Sequence, residues 1–529
     1  MTRAGFWLLL VLPALAWGQD GAVAKRFMVA AAHPLAAEAG VGVLERGGTA
    51  ADAAVAVQMV LGLVEPQSSG IGGGAFLLHW SQKDGKLRSY DGRETAPAAA
   101  QADRFLREGM PMAFMDAVVG GRSVGVPGVL RMLELVHRRH GRLPWRELFA
   151  DAIRLAEAGF ETPPRLRAAL AEARFLEDDL FFESGRPRER IVNRAYAQTL
   201  RIVAREGADA FYRGAIAADI VRAVREHAKP GDLAETDLAG YRALEREPVC
   251  GPYRGRRVCS MGPPSSGGVA VLQILGILER TAFARAPPHS AQAAHLFTEA
   301  GRLAFADRAR YLADADFVAV PVKKLLSDSY LDARAALISE RSMGEAPPGD
   351  AERGTSHFSI VDARGDAVAM TTSVESPFGS RIVVRGFILN NQLTDFDFAP
   401  GGANAVAPGK RPRSSMAPTM VLEEGRLQLV LGSPGGSMII NYVARALVAS
   451  IDWGMDLQAA IAAPNLGTRN GPALLEKDTP YAALEDPLAG RGHRVVIAPL
   501  VSGLHGVERA PGGWRGGADP RRDGVAVGR

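Results

Sequence analysis

The chain has 529 residues, 47% of them hydrophobic and 23% charged, a composition ordinary for a folded protein with one large core or two to three smaller ones. Its 62 basic and 58 acidic residues leave a net charge of +4, and the Arg pairs at 138–139, 256–257 and 521–522 are dispersed. That balance argues against a nucleic-acid surface, and past the N-terminus no stretch has the roughly 18 uninterrupted apolar residues of a membrane span.

At the N-terminus Arg3 precedes an apolar run from Phe6 to Ala16, and Ala16-Trp17-Gly18 precedes Gln19 as a cleavage site would. Residues 1–18 are expected to be a secretory signal, with an uncleaved anchor as the alternative, and the mature chain to be exported, to a periplasm or outside the cell. Pro34 then opens a helical pattern that closes at Gly47-Gly48, and Thr49-Ala50-Ala51-Asp52 caps a second helix, apolar nearly all round, that ends at Glu65-Pro66. The glycine run Gly70-Ile71-Gly72-Gly73-Gly74-Ala75 matches G-x-G-x-x-A, the dinucleotide fingerprint. Its context is reversed, helix before and strand after, so close backbone packing is the expected role.

From Pro127 to about Glu340 the pattern is mostly helical, interrupted near Cys250. If Tyr253 to Arg256 form a hairpin turn, facing residues have numbers that sum to 509, which sets Cys250 opposite Cys259. A cross-strand disulfide and two buried thiols both remain open. His137 and His140, beside Arg138 and Arg139, read as a surface pair; added positive charge there disfavours a bound cation, and no metal or cofactor is expected. "APPGDAERG" (346–354) has linker composition, and Ser356–Asp362 and Ala367–Val374 then alternate as strands around a turn. A second hairpin, Thr419–Leu422 with Gln428–Leu431, precedes a helix at 439–450. Together these predict an α+β architecture of stacked sheets covered by helices.

Thr355, at the junction of linker and strand, is a weak nucleophile unless a base lies close, and a free α-amine on the same residue is such a base. That amine exists only once Gly354–Thr355 has been cut. Ser433-Pro434-Gly435-Gly436-Ser437, between a strand and a helix, either turns backbone N–H groups towards an oxyanion or is simply a turn. Gln392 and Asp395 in "LNNQLTDF", and Ser414 and Ser415 in "KRPRSSMAP", follow strand-like segments and read equally as loop polarity.

Taken in order, "GGTAADAAVA", "GIGGGAF", "DGRETAP", "GRSVGVPG", "PPSSGG", "GTSHFSIVD", "SPFGS", "LNNQLTDF", "PGKRPRSSMAPT" and "GSPGGS" resemble the gamma-glutamyltransferases (glutathione hydrolases) over nearly the whole mature chain. The resemblance implies an N-terminal nucleophile hydrolase of four-layer αββα sandwich fold. It implies autocatalytic cleavage at Gly354–Thr355 into a large subunit, 19–354, and a small catalytic subunit, 355–529. Thr355 is the implied nucleophile, Ser373 its hydroxyl partner, and Gly435 and Gly436 the oxyanion hole. Arg93, with Ser414 and Ser415, would hold the substrate α-carboxylate, and Gln392 and Asp395 the α-ammonium.

Glu375 stands where many members have asparagine and is expected to add a second carboxylate at the ammonium site. The stretch from Asp395 to Ser414 is short, which implies an enzyme without a lid loop and hydrolysis at least matching transfer. Substrates implied are glutathione and other γ-glutamyl compounds, with water, amino acids or dipeptides as acceptors. The alternatives are a cephalosporin (glutaryl) acylase of the same fold, and a processed but inactive binding or scaffold protein.

Overall fold

The computed structural model describes residues 21–173, 176, 178–344 and 354–529. The signal reading of residues 1–18, and the linker as far as Arg353, lie outside these. Among the described residues no helix is long and apolar enough to cross a membrane.

Two seven-stranded antiparallel sheets form the centre. The first runs Ala22–Ala24, Gly513–Ala518, His505–Ala510, Arg426–Gly432, Thr419–Glu423, Arg256–Ser260, Val249–Tyr253. The second runs Leu244–Arg246, Lys86–Gly92, Gly74–Ser81, Ala367–Glu375, Gly354–Val361, Met28–Ala31, Val525–Gly528. Both sheets draw strands from either side of Gly354–Thr355, so that bond joins two parts of one sandwich and no domain boundary falls there.

Period-two alternation divides the side chains between layers. Ala367 and Ala369 face the other sheet and pack with Met28, Trp80, Met420 and Val430, whereas Val368, Met370, Phe358 and Ile360 face a helical layer. That layer holds Pro34–Glu45, Ala50–Val64 and Val129–His140; Gly267–Glu279, Ala291–Tyr311 and Ile439–Ile451 cover the other sheet. The four layers make the αββα sandwich. Ala50–Val64 is buried along its whole length, and Thr49 and Asp52 close the expected capping box at 3.0 and 2.9 Å. Such a helix is held by packing on every side.

The hairpin register is the one the arithmetic requires: Cys250 pairs with Cys259 and Tyr253 with Arg256, and the two cysteines are joined in a disulfide. His137 and His140 differ from expectation. Both are half-buried; His140 stacks on buried His79 with ring centroids 3.8 Å apart and bonds the Tyr90 hydroxyl at 2.6 Å, while His137 bonds the Leu143 carbonyl at 2.9 Å. Their helix lies against the sheet rather than in solvent, which pairs each ring with a neighbour.

Candidate active site

The strand that carries Thr355 begins one residue earlier, at Gly354. Gly354 pairs with Glu375 and Ser356 with Thr372, so Thr355 stands opposite two residues, Ser373 and Val374, and the bulge falls on their strand. A bulge leaves its extra residue outside the ladder and re-aims that side chain. Thr355 Oγ1 lies 3.5 Å from Ser373 Oγ on the neighbouring strand, longer than an ordinary hydroxyl hydrogen bond, and Ser373 Oγ accepts from the Glu375 N–H at 2.8 Å. Glu375 sits at φ +83°, in the left-handed region a non-glycine residue rarely adopts, at the point where its strand turns away.

One cavity is walled by Arg93, Thr355, Ser373, Glu375, Gln392, Asp395, Ser414, Ser415 and Gly436. Residues from five sequence motifs, with Ser373 and Glu375 from the strand before a sixth, thus meet in one place. Gly435 lies just behind this wall. It holds φ +131°, and a Cβ on it would come within 2.6 Å of the Tyr442 ring, so only glycine fits. Gly436 opens a short 3₁₀ turn that feeds Ile439–Ile451, and backbone N–H groups at such a helix start favour negative charge.

Arg93 is 1% exposed and held on three sides. Its Nε donates to the Pro412 carbonyl at 3.1 Å, its Nη2 donates to Asp395 Oδ2 at 2.5 Å, and its own carbonyl accepts from the Tyr241 hydroxyl at 2.7 Å. Gln392 Nε2 donates to the same Asp395 oxygen at 2.7 Å. Asp395 therefore touches both the guanidinium and the amide, which couples the two groups expected to bind the carboxylate and the ammonium on one substrate α-carbon. Glu375 Oε2 accepts from Ser376 Oγ at 2.5 Å and Asn391 Nδ2 at 2.9 Å. Next to Arg93, burial pushes the Glu94 carboxyl up to about 8 even though the guanidinium lies 3.7 Å away. A carboxyl raised that far favours its neutral form at neutral pH, and Asp395 is the carboxylate in direct contact with Arg93.

Sequence reasoning did not single out several residues that support this wall. Ser266 donates through its backbone N–H and its hydroxyl to the Ser414 carbonyl, at 2.8 and 2.5 Å, and Arg308 Nη2 donates to Ser415 Oγ at 2.9 Å. The "PPSSGG" turn therefore shapes the serine loop. Asn390 Nδ2 donates to the carbonyls of Gly72 and Gly125 at 2.8 and 2.9 Å, tying two glycine motifs to the Gln392 turn. A Cβ on Gly73 would fall 2.1 Å from the Ser373 carbonyl, which accounts for that glycine by close backbone approach. Half-buried Arg522 donates to the Thr355 carbonyl at 3.3 Å. Burial lowers its pKa to about 9, which leaves it a cation at neutral pH.

His357, two residues from Thr355, is no base for it. The ring is buried with its pKa held well below the ordinary value by that burial, and its nitrogens meet Thr371 Oγ1 at 2.9 Å and Ser359 Oγ at 3.1 Å. Among the described residues, His295, Glu299 and His493 come close enough to hold a metal ion. Their lone pairs are used otherwise. His295 Nε2 donates to the Ser339 carbonyl at 2.8 Å, which leaves its Nδ1 to accept from His493 Nε2 at 2.8 Å, and Arg302 stands 3.4 Å from the remaining His493 nitrogen. A buried guanidinium beside the cluster disfavours a second cation.

The sandwich, with a threonine at the head of an inner strand and Gly436 in the wall of the same cavity, defines an N-terminal nucleophile hydrolase. The family profile described as Gamma-glutamyltranspeptidase matches residues 36–529. The chain is 37% identical over 541 residues to the glutathione hydrolase proenzyme of Bacillus subtilis (strain 168), covering 96% of this chain and 92% of that protein. It is 38% identical over 527 residues to the Acylase ACY 1 proenzyme of Pseudomonas sp. (strain SE83), covering 95% and 93%. The crystal structure of cephalosporin acylase from Bacillus halodurans superposes with a TM-score of 0.88 at 30% identity, covering 99% of both chains. The chain belongs to the gamma-glutamyltranspeptidase family.

Proposed function

We propose that the protein cleaves γ-glutamyl amides, glutathione among them, through a γ-glutamyl ester on Thr355, and passes the glutamyl group to water or to an amino acid or dipeptide. The observation that carries the reading is the single cavity in which Thr355 and Ser373 face Arg93, Asp395, Gln392 and Glu375. A γ-glutamyl group ends in an α-carboxylate and an α-ammonium. Arg93 meets the first through planar paired donors, and Asp395 and Glu375 meet the second.

The chain first cuts itself at Gly354–Thr355 into a large subunit, 19–354, and a small one, 355–529, which stay together because each sheet contains strands of both. The new α-amine takes the proton from Thr355 Oγ1 as that oxygen adds to the γ-carbonyl. Gly435 and Gly436 N–H groups stabilise the oxyanion, worth about 3–4 kcal/mol per donor in comparable sites. The C–N bond breaks, the amine leaves with the proton, and the acceptor releases the ester by the same steps reversed. Export fits the signal-like N-terminus and the disulfide.

A glutaryl acylase is the second reading, favoured by the likeness to Acylase ACY 1 and to the Bacillus halodurans acylase. A glutaryl group keeps the carboxylate for Arg93 and lacks the ammonium that Asp395 and Glu375 would meet. The test compares γ-glutamyl-p-nitroanilide with glutaryl-p-nitroanilide. The proposal expects at least a tenfold preference for the former and two bands on a denaturing gel; preference for the glutaryl compound overturns it in favour of the acylase.

A further inference from the structure

A groove of about 700 Å³ adjoins the acyl cavity and shares Asp395 with it. Ser437, the residue after the Gly435-Gly436 pair, lies in its wall, so the groove starts beside the position expected for the oxyanion. A substrate whose γ-glutamyl end fills the cavity extends its amine portion into this space.

The lining is specific in two ways. Phe398 stacks on Phe105 with ring centroids 4.7 Å apart and lies 6.4 Å from Phe114; Phe114 and Phe398 are both half-exposed, and together they present an aromatic face to the groove. Facing them are three arginines, Arg308, Arg413 and Arg469, and two carboxylates, Asp395 and Asp397. Both carboxylates hold guanidinium groups, Asp395 that of Arg93 and Asp397 that of Arg413 at 3.1 Å. The lining thus holds three guanidinium groups against two carboxylates, an excess of one positive charge. Arg308 donates to the hydroxyls of Ser266 and Ser415. Arg469 lies half-exposed on the loop between Leu466–Gly467 and Ala473–Glu476.

We infer that this groove is the subsite for the leaving amine and for the incoming acceptor, and that it selects an amino acid or short peptide with an apolar or aromatic side chain and a free carboxylate. Arg469 receives the carboxylate and Phe398 the side chain. The inference rests on the γ-glutamyl reading of the cavity. In the ping-pong reaction the same groove releases the first amine before the second enters, so one selectivity governs both.

Three donors with the same acyl group test it: γ-glutamyl-phenylalanine, γ-glutamyl-phenylalaninamide and γ-glutamyl-glycine. The wild type is expected to cleave the first with kcat/KM about tenfold above the second and about fivefold above the third, corresponding to one charge-assisted contact and one aromatic contact. Arg469→Gln is expected to bring the carboxylate-to-amide ratio to about 2 and to keep the phenylalanine-to-glycine preference. Phe398→Ala is expected to do the reverse. Each readout is a ratio within one variant, so a general loss of activity cancels. Equal turnover of acid and amide by the wild type, or ratios that neither substitution moves, overturns the subsite while leaving the activity in place. Failure of the wild type to cleave any of the three overturns the γ-glutamyl reading, and the subsite with it.

Discussion

The acyl cavity and the groove beside it share one wall and are built in opposite ways. In the cavity every charged group is buried and already bonded: Arg93 to Asp395, Gln392 to Asp395, Glu375 to Ser376 and Asn391. In the groove the aromatic rings and Arg469 are half-exposed. A rigid, prepaid constellation suits one acyl group and a fixed geometry of attack. An open, mixed lining suits a family of amines. The difference predicts that cavity substitutions abolish or redirect the reaction, whereas groove substitutions only re-rank substrates.

The largest effect is expected from Thr355→Ala, which removes both nucleophile and self-cleavage. A denaturing gel should show one uncut band in place of two, with turnover at background. A variant that still processes would move the cleavage chemistry to another residue. Next comes Arg93→Gln, which removes the carboxylate receptor and leaves Asp395 facing an amide. Losing one partner of a buried, hydrogen-bonded charge pair costs on the order of 2–5 kcal/mol of binding, so kcat/KM should fall about a hundredfold. Arg93→Lys should not rescue it, because an ammonium cannot reproduce the planar fork. Glu375→Gln should be milder, narrowing the preference for γ-glutamyl over glutaryl p-nitroanilide by about tenfold, the worth of one charged contact. An unchanged ratio would assign the ammonium to Asp395 alone.

The smallest effect concerns stability. Glu94 has a folded pKa of about 8 against an ordinary value of 4.5, so the folded state retains a proton that the unfolded chain has released between those limits. Stability therefore falls as pH rises from about 4.5 to about 8. Glu94→Gln should flatten the decline in Tm across pH 5–8. An identical slope would mean that Glu94 is ionised beside Arg93.

Much of the fold was legible because it rests on local rules. The buried helix at 50–64, its Thr49–Asp52 cap, the Cys250 hairpin and the strands either side of residues 363–366 all follow from period, capping and turn chemistry within a few residues. The site was legible mainly through its motifs, which indicated which residues belong together. The environment of His140 was not, because a stack on His79 and a bond to Tyr90 link elements that share no periodicity.

The sequence by itself determined the secondary elements, the hairpin register and the set of residues that form the cavity. Only the tertiary structure decided how they bond: that Asp395 lies on Arg93 across a separation of 302 residues, that Glu94 keeps its proton, that Arg308 reaches Ser415, and that an arginine-lined groove opens beside Ser437. Each depends on burial or on distance between segments far apart in the chain. Neither quantity has a signature in the order of residues, because both arise only when the two sheets and their helices pack together.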